Sequence, residues 1–255
     1  MNLFYAIIFG MVEGITEFLP ISSTAHLMLA AKALGLSQTD FLKSFEITIQ
    51  LGAVSAVVVL YWRSLTLNVL ILKRVVTAFF PTAVLGFIFY KLIKQFLLSN
   101  TQTVLWFLFL GGVFMIIFEW RYREKKGAVE DLSLITYQQA FLIGVFQSVA
   151  MIPGVSRAAA TIYGGLFLGV KRKTIVEFSF LLAIPTMAAA TVLDLFRSSK
   201  AFSSDQFGFL FLGFIFSFIT AIVCVKWLLY FIQRHNFTLF GIYRIVLSLL
   251  FWFLF

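Results

Sequence analysis

Pro20-Ile21-Ser22-Ser23-Thr24 interrupts an apolar stretch that runs from 2 to 34, and Pro153-Gly154-Val155-Ser156-Arg157 interrupts a second one, from 138 to 169. Proline ends the helix that precedes it, and a serine or threonine caps the helix that follows. Each stretch therefore predicts a helix, a break and a second helix. In a membrane protein this pattern is typical of a re-entrant hairpin, which enters the bilayer and returns to the same side.

Six further apolar segments are long enough to cross about 30 Å of hydrocarbon at about 1.5 Å per residue. They cover about 45–62, 75–92, 103–120, 174–195, 207–232 and 238–255. Of the 255 residues, 61% are hydrophobic, 12% are charged and 33 are phenylalanine. This composition excludes an ordinary water-soluble domain. We therefore predict an all-α polytopic membrane protein with six transmembrane helices and two re-entrant hairpins.

The two interrupted segments resemble each other. Gly10-Met11-Val12-Glu13 is similar to Gly144-Val145-Phe146-Gln147, and the two breaks align with a one-residue slip. Three spans follow each hairpin, an odd number, so the second half enters the membrane from the opposite face. This predicts one membrane domain, 1–255, built as an inverted-topology repeat whose two breaks meet near the midplane. Its parts are repeat one at 1–120, a linker at 121–136 and repeat two at 137–255.

The 20 Lys and Arg outnumber the 11 Asp and Glu, which in a soluble chain would suggest a nucleic-acid partner. Here the cations stand in short clusters between apolar spans, so we interpret them as topology signals and expect no nucleic acid. Of these cations, 13 fall on one side of the predicted spans and 6 on the other. The 13 include Lys226 and Arg244, which we place near span ends. The richer side is expected to be cytoplasmic, which places both termini and the first hairpin's entrance outside.

Ionisable and hydroxyl residues cluster at the first break. Glu13 and Glu17 share one helix face, where two carboxylates can hold a cation, share a proton or orient a water. The alternative is that both face a solvated vestibule. Ser22, Ser23 and Thr24 open the next helix, whose N-terminus favours an anion. His26 follows Ser23 by three residues, near enough to exchange a proton with a hydroxyl. Capping or packing explains each feature alone but not their combination.

The second break supplies a cation and further hydroxyls. Arg157 stands between Ser156 and Thr161, and its planar fork suits phosphate oxygens. The alternative is a salt bridge from Arg157 to Glu13 or Glu17 across the repeat interface. Glu46 and Gln50, four apart on the first span, are candidate supporting residues. Together the two breaks predict a phosphate site with the parts for hydrolysis and with no obligatory cofactor.

Four segments together resemble the bacterial undecaprenyl-diphosphate phosphatase family, the bacitracin-resistance membrane phosphatases. They are Glu13 to His26, Phe45 to Gly52, Pro153 to Thr161 and Glu177 to Pro185. Because these segments lie in both halves, the resemblance covers essentially the whole chain. It implies a bacterial plasma-membrane enzyme that hydrolyses undecaprenyl diphosphate on the extracytoplasmic side and recycles the lipid carrier for peptidoglycan synthesis.

The resemblance also implies roles for individual residues. The catalytic set is Glu13, Glu17, Ser23 as nucleophile, His26 as acid/base and Arg157 as phosphate clamp, and the phosphate-binding hydroxyls are Ser22, Thr24, Ser156 and Thr161. Family members are stimulated by Mg²⁺ or Ca²⁺, for which Glu13 and Glu17 are candidate ligands. This chain departs from the family pattern at Ala158 and Ala159, where Ser and Gly are usual.

The predicted partners are an isoprenyl diphosphate lipid, the bilayer and a second copy of the chain in a homodimer. The main alternative function is a non-hydrolytic lipid-phosphate transporter or flippase, because inverted repeats with broken helices are also typical of secondary transporters. A transporter would need Arg157 and the helix ends, but not Ser23 beside His26. A structural channel subunit explains none of the clustered charges.

Overall fold

A computed structural model of the protein describes residues 1–37, 39–92, 101–198 and 206–254. Within these ranges the chain is helical and contains no strand, only an isolated bridge between Val129 and Val170. The helices are α1 Leu3–Thr16, α2 Ser23–Ala33, α3 Asp40–Leu60, α4 Trp62–Leu67, α5 Val69–Leu92, α6 Thr101–Arg121, α7 Tyr137–Ser148, α8 Arg157–Phe167, α9 Arg172–Ser198, α10 Phe207–Phe231 and α11 Thr238–Leu254.

Among the residues that the structure describes, five helices are long and apolar enough to cross a membrane, which confirms a polytopic membrane protein. They contain Phe41–Leu60, Val69–Phe89, Thr101–Arg121, Arg172–Leu193 and Phe207–Phe231, and they match the first five predicted spans. The sixth predicted span, 238–255, corresponds to α11. Its 17 residues extend about 25 Å, less than the hydrocarbon core of a typical bilayer.

Both interrupted stretches form a helix, a break and a second helix, as the prolines predict. Helix α1 is capped by Asn2, and α7 is opened by a capping box in which Thr136 and Gln139 bond reciprocally. The chain turns between α1 and α2, and a short 3₁₀ turn, Val149–Met151, follows α7. Gly154 in the second break has φ +95°, and a Cβ there would stand 2.5 Å from the Val104 carbonyl oxygen. Only glycine fits this position.

Each hairpin packs on the other half of the chain. Helix α1 packs on α10 and α7 packs on α5, while α3 contacts α9 and α6 contacts α11. Gly10 and Gly144, which correspond in sequence, make the same kind of contact. A Cβ on Gly10 would stand 2.4 Å from the Gly213 carbonyl oxygen of α10, and one on Gly144 would stand 1.9 Å from the Ala78 carbonyl oxygen of α5. The hairpin helices approach these spans closely because neither glycine has a side chain.

The prediction that Arg244 lies near a span end as a topology signal is wrong. Its side chain is completely buried and donates hydrogen bonds to the carbonyl oxygens of Pro20 and Gly154, one from each break. A long cation close to a helix end can extend to water. Arg244 instead extends inward, where five backbone carbonyl oxygens and the Met115 sulfur accept its hydrogen bonds.

Candidate active site

The two breaks meet at one cavity of about 150 Å³. Ser22 and Ser156, which immediately precede α2 and α8, have φ values of 71° and 80°. In the described part of the chain they are the only residues other than glycine with positive φ. This backbone conformation costs about 1–2 kcal/mol per residue and is typical of functional sites. The polar residues that line the cavity are Glu17, Ser22, Ser23, Thr24, Gln50, Thr82, Gln147, Ser156, Arg157 and Thr186.

Glu17 lies at the centre of the cavity's hydrogen bonds. The Ser23 hydroxyl donates to Glu17 Oε2 at 2.5 Å, and Arg157 Nη2 donates to Glu17 Oε1 at 2.9 Å. The Glu17 and Arg157 side chains are only 3% and 8% exposed, so the ion pair is shielded from solvent. The sequence predicted that Arg157 binds phosphate or forms a salt bridge to Glu13 or Glu17. The structure contains the salt bridge, and Glu17 is the carboxylate that forms it. A carboxylate that accepts a serine hydroxyl is placed to take its proton.

The two Nη atoms of Arg157 bind different residues, Nη2 the Glu17 carboxylate and Nη1 Ser179. Its Nη1 donates to the Ser179 carbonyl oxygen at 2.7 Å and to the Ser179 hydroxyl at 3.2 Å, and its guanidinium lies over the Phe18 ring at 5.7 Å. The buried Nε–H has no hydrogen-bond partner in the described residues. Arg157 also lines the cavity, so its guanidinium borders the space that an anion would occupy.

Glu13 lies one turn before Glu17 on α1 and does not line the cavity. Its side chain is completely buried, and neither carboxylate oxygen has a hydrogen-bond partner among the described residues. The carboxylates of Glu17 and Glu46 are close enough to interact unfavourably with it. A buried carboxylate in these surroundings is costly unless it holds a proton or a cation. Of the two supporting candidates, Gln50 lines the cavity and Glu46 does not.

The His26 ring is turned away from the Ser23 hydroxyl. Its Nδ1 lies 2.8 Å from the Ser22 carbonyl oxygen, which only accepts, so Nδ1 carries the proton. Its Nε2 lies 2.8 Å from the Tyr243 hydroxyl, which donates to the neutral ring. The two rings are stacked with their centroids 5.5 Å apart. Both ring nitrogens are therefore engaged, and the expected contact with the Ser23 hydroxyl is not formed in this structure.

The predicted phosphate-binding hydroxyls divide into two groups. Ser22, Thr24 and Ser156 line the cavity. The Ser156 hydroxyl accepts from the Ala159 N–H at 3.2 Å and so caps α8, whereas Ser22 makes no capping bond. Thr161 is completely buried outside the lining and donates to the Arg157 carbonyl oxygen at 2.9 Å. Thr161 therefore supports α8 behind Arg157.

Three polar lining residues, Thr82, Gln147 and Thr186, were not predicted as site residues. Gln147 Nε2 donates to the Thr82 hydroxyl at 2.9 Å and to the Thr186 hydroxyl at 3.2 Å, which joins α7 to α5 and α9. The sequence does contain features that could have indicated these three residues. Thr82 and Thr186 each follow a proline inside an apolar helix, and Gln147 corresponds to Glu13 in the aligned hairpins.

Comparison with known proteins finds similar sequences over nearly the whole chain. The profile of the family described as bacitracin resistance protein BacA matches residues 6–250. The chain is 51% identical to an undecaprenyl-diphosphatase of Aquifex aeolicus over 251 residues, which cover 98% of each protein. It is 48% identical to an undecaprenyl-diphosphatase of Wolinella succinogenes, with 99% of this chain and 98% of the relative covered. Identity to that of Campylobacter jejuni strain 81-176 is 44%, over 100% of this chain and 95% of the relative.

Proposed function

The chain belongs to the bacitracin resistance protein BacA family, and from this premise we propose that it hydrolyses undecaprenyl diphosphate to undecaprenyl phosphate and inorganic phosphate. Relatives that carry the name undecaprenyl-diphosphatase align with 98% or more of this chain. The observation that carries the proposal is the Ser23–Glu17–Arg157 set at one buried cavity. The product is the lipid carrier of cell-wall synthesis, and its recycling accounts for the bacitracin resistance in the family's name.

In the proposed reaction the Ser23 oxygen attacks the terminal phosphorus while Glu17 accepts the hydroxyl proton. The bond from that phosphorus to the bridging oxygen breaks, and undecaprenyl phosphate leaves with the bonding electron pair. Water then attacks the seryl phosphate, which releases inorganic phosphate and restores the Ser23 hydroxyl. The 2.5 Å bond from Ser23 to Glu17 supports this assignment, because the base already contacts the nucleophile's proton. Direct attack by a water that Glu17 activates is the alternative.

The remaining groups neutralise and orient the diphosphate. Arg157 supplies the one cation in the lining, and the N-termini of α2 and α8 supply partial positive charge. The unpartnered Arg157 Nε–H and the hydroxyls of Ser22, Thr24 and Ser156 are donors for phosphate oxygens. These groups stabilise charge where it develops in the transition state. We propose that His26 acts on this site through the Ser22 backbone rather than as a base for Ser23.

The Glu13 and Glu17 carboxylates supply some of the oxygen ligands that a hard divalent cation needs. Glu13 offers two buried oxygens without partners, and oxygen ligands are those that Mg²⁺ and Ca²⁺ prefer. No set of three metal-ligating side chains converges in the residues that the structure describes. We therefore propose that Glu13, with help from Glu17, would hold Mg²⁺ or Ca²⁺ together with substrate oxygens. A bound cation would supply further neutralisation of the diphosphate charge.

We further propose the inverted repeat, 1–120 and 137–255, with six spans and two re-entrant hairpins. The exchanged contacts of α1 with α10 and of α7 with α5, and the matching contacts of Gly10 and Gly144, support this arrangement. The positive-inside rule favours a site that opens to the outside of the bacterial plasma membrane. The predicted homodimer stays a prediction, which the mass of the detergent-solubilised protein tests.

Release of phosphate from undecaprenyl diphosphate by the purified, detergent-solubilised protein tests the proposed function. We expect turnover in the wild type and its loss in Ser23→Ala. Ser133→Ala, in the linker, is the matched control and is expected to keep full activity. Transfer of the lipid between leaflets of a vesicle without phosphate release would instead favour the flippase. A terminal ³²P label retained on quenched wild type but absent from Ser23→Ala would support the seryl phosphate.

A further inference from the structure

Helix α11 contributes no residue to the cavity lining, yet two adjacent residues on it bind the two breaks. The Tyr243 hydroxyl lies 2.8 Å from His26 Nε2, and His26 Nδ1 lies 2.8 Å from the Ser22 carbonyl oxygen. Tyr243 therefore fixes the His26 ring that holds the first break at Ser22, the residue with left-handed backbone.

Arg244, the next residue, binds both breaks directly. Its guanidinium donates to five backbone carbonyl oxygens, a number equal to its N–H groups. Three belong to the breaks: Pro20 at 3.3 Å, Gly154 at 2.6 Å and Val155 at 3.0 Å. The other two, Phe107 and Leu108 of α6, lie at 3.0 and 3.1 Å. One side chain thus connects both breaks to α6 and α11.

The neighbouring helix is shaped for this guanidinium. A Cβ on Gly111 of α6 would stand 2.2 Å from Arg244 Nη2, and a Cβ on Gly112 would stand 2.6 Å from the Gly241 carbonyl oxygen of α11. In the described ranges Arg244 forms no ion pair, so its charge is offset by carbonyl dipoles and by the Met115 sulfur at 3.9 Å. Such a buried cation is costly, and within a membrane protein it is a functional candidate by default.

We propose that Tyr243 and Arg244 are positioning residues for the hydrolysis, an inference that rests on the proposed function. The carbonyl and N–H of a trans peptide point to opposite edges. The hold of Arg244 on the Val155 carbonyl therefore turns the Ser156 N–H away from α11, toward the cavity that Ser156 lines. In the same way, the hydrogen bond from His26 to the Ser22 carbonyl orients the Ser23 N–H, which belongs to the same peptide group. Two backbone donors then face the transferred phosphate.

Arg244→Lys distinguishes the proposed positioning role from an effect of the positive charge alone and from an effect of side-chain packing alone. Lysine keeps the positive charge, but its donors share one atom and cannot bind both breaks and α6 at once. We expect kcat to fall by about tenfold or more, because small displacements of catalytic groups are costly. The variant should remain folded in detergent with a lower thermal midpoint, because lysine leaves buried carbonyl oxygens without a donor. Tyr243→Phe should give a smaller loss of kcat. Arg234→Lys and Tyr230→Phe, at exposed positions, are the matched controls.

Amide hydrogen exchange supplies a readout that does not depend on activity. Arg244→Lys should accelerate exchange in both breaks, 17–23 and 150–157, whereas Tyr243→Phe should accelerate it in 17–23 alone. Wild-type kcat and wild-type exchange in Arg244→Lys would overturn the proposal, and so would acceleration spread evenly over all helices, which would indicate a general role in stability. If the wild type released no phosphate, the proposed function would fail, and the two exchange patterns would still decide whether α11 holds the breaks.

Discussion

The Ser23 hydroxyl and Arg157 Nη2 bind opposite oxygens of the same carboxylate, that of Glu17. In the proposed reaction a phosphate that binds Arg157 competes with Glu17 for the guanidinium, while Glu17 Oε2 keeps its contact with the Ser23 hydroxyl. The proposed clamp and the proposed nucleophile therefore share one carboxylate partner.

Neutralising either acid should separate the roles of Glu17 and Glu13. Glu17→Gln should lower turnover by roughly a hundredfold or more, because the base for Ser23 is lost. It should also lower the free energy of unfolding by about 3 kcal/mol, since Arg157 remains buried without its carboxylate. Glu13→Gln removes a buried carboxylate that has no partner in the described residues, so its stability should match or exceed that of the wild type. Phosphate release and thermal unfolding in detergent measure both effects.

From burial alone, neutralising either carboxylate would be expected to leave folding intact, because it relieves the cost of desolvation. The ion pair from Glu17 to Arg157 restricts that expectation to Glu13. If Glu13 binds the proposed cation, Glu13→Gln should also abolish stimulation by Mg²⁺ or Ca²⁺. Both side chains are buried, so the alternative that they face a solvated vestibule is wrong. Turnover near that of the wild type in both variants would exclude the two carboxylates from the reaction.

Ser22→Gly should show that the strained backbone at the first break serves function. Glycine adopts φ +71° without the penalty that serine bears. Because Ser22 makes no capping bond, stability should be unchanged or up to about 1 kcal/mol higher. Turnover should fall by about tenfold, since a hydroxyl that donates to phosphate is lost. Ser22→Ala keeps the strain and should lose activity without any gain in the thermal midpoint; full activity in both variants would exclude the hydroxyl.

Local sequence rules placed the two breaks. Pro20 and Pro153 each stand two or three residues before a serine that immediately precedes a new helix, whereas Pro81 and Pro185 lie inside α5 and α9. The sequence indicated Glu17, Ser23 and Arg157 as site residues because they lie beside those breaks. The predicted repeat interface allowed a salt bridge from Arg157 to Glu13 or Glu17. The prolines and the spacing could not choose between the two carboxylates or show that Glu17 also accepts the Ser23 hydroxyl.

Sequence patterns also could not predict the partners of His26 and Arg244, because these partners are distant along the chain. Tyr243 is 217 residues from His26, so only the folded chain brings them together. The burial of Arg244 depends on Gly111 and Gly112 of α6, and periodicity within α11 carries no information about them. Distance from a span end, the one local criterion available, favours extension to water.

Gly144→Val tests the close contact between α7 and α5. Its Cβ would stand 1.9 Å from the Ala78 carbonyl oxygen, and backbone atoms cannot rotate away as a side chain does. We expect a loss of about 3 kcal/mol in the free energy of unfolding or a failure to accumulate in the membrane. Gly10→Val should behave in the same way on α10. The matched control is Gly208→Val, because a Cβ there has no neighbour within 4 Å; equal stability of all three variants would contradict the packing described.

Cysteine labelling in intact cells tests the orientation. In a Cys224→Ala background, an impermeant thiol reagent should label Lys43→Cys from outside, while Lys126→Cys should react only after the cells are opened. Both positions are exposed, and the excess of cations around 126 favours the cytoplasmic side. Equal labelling of the two positions in intact cells would contradict the inverted repeat.

Arg157→Lys distinguishes a phosphate clamp from a structural salt bridge. Lysine can keep the pair with Glu17, but it loses the fork that reaches Ser179 and leaves Nε–H for an anion. If that fork grips the phosphate as charge develops, the variant should lose about 2–4 kcal/mol of transition-state stabilisation, which is about thirty- to a thousandfold in rate. Ala158→Ser, which restores the family's usual serine one residue later, should remain active and serves as the control. Near-normal phosphate release by well-folded Arg157→Lys would remove Arg157 from the reaction and leave the phosphate to the two helix N-termini.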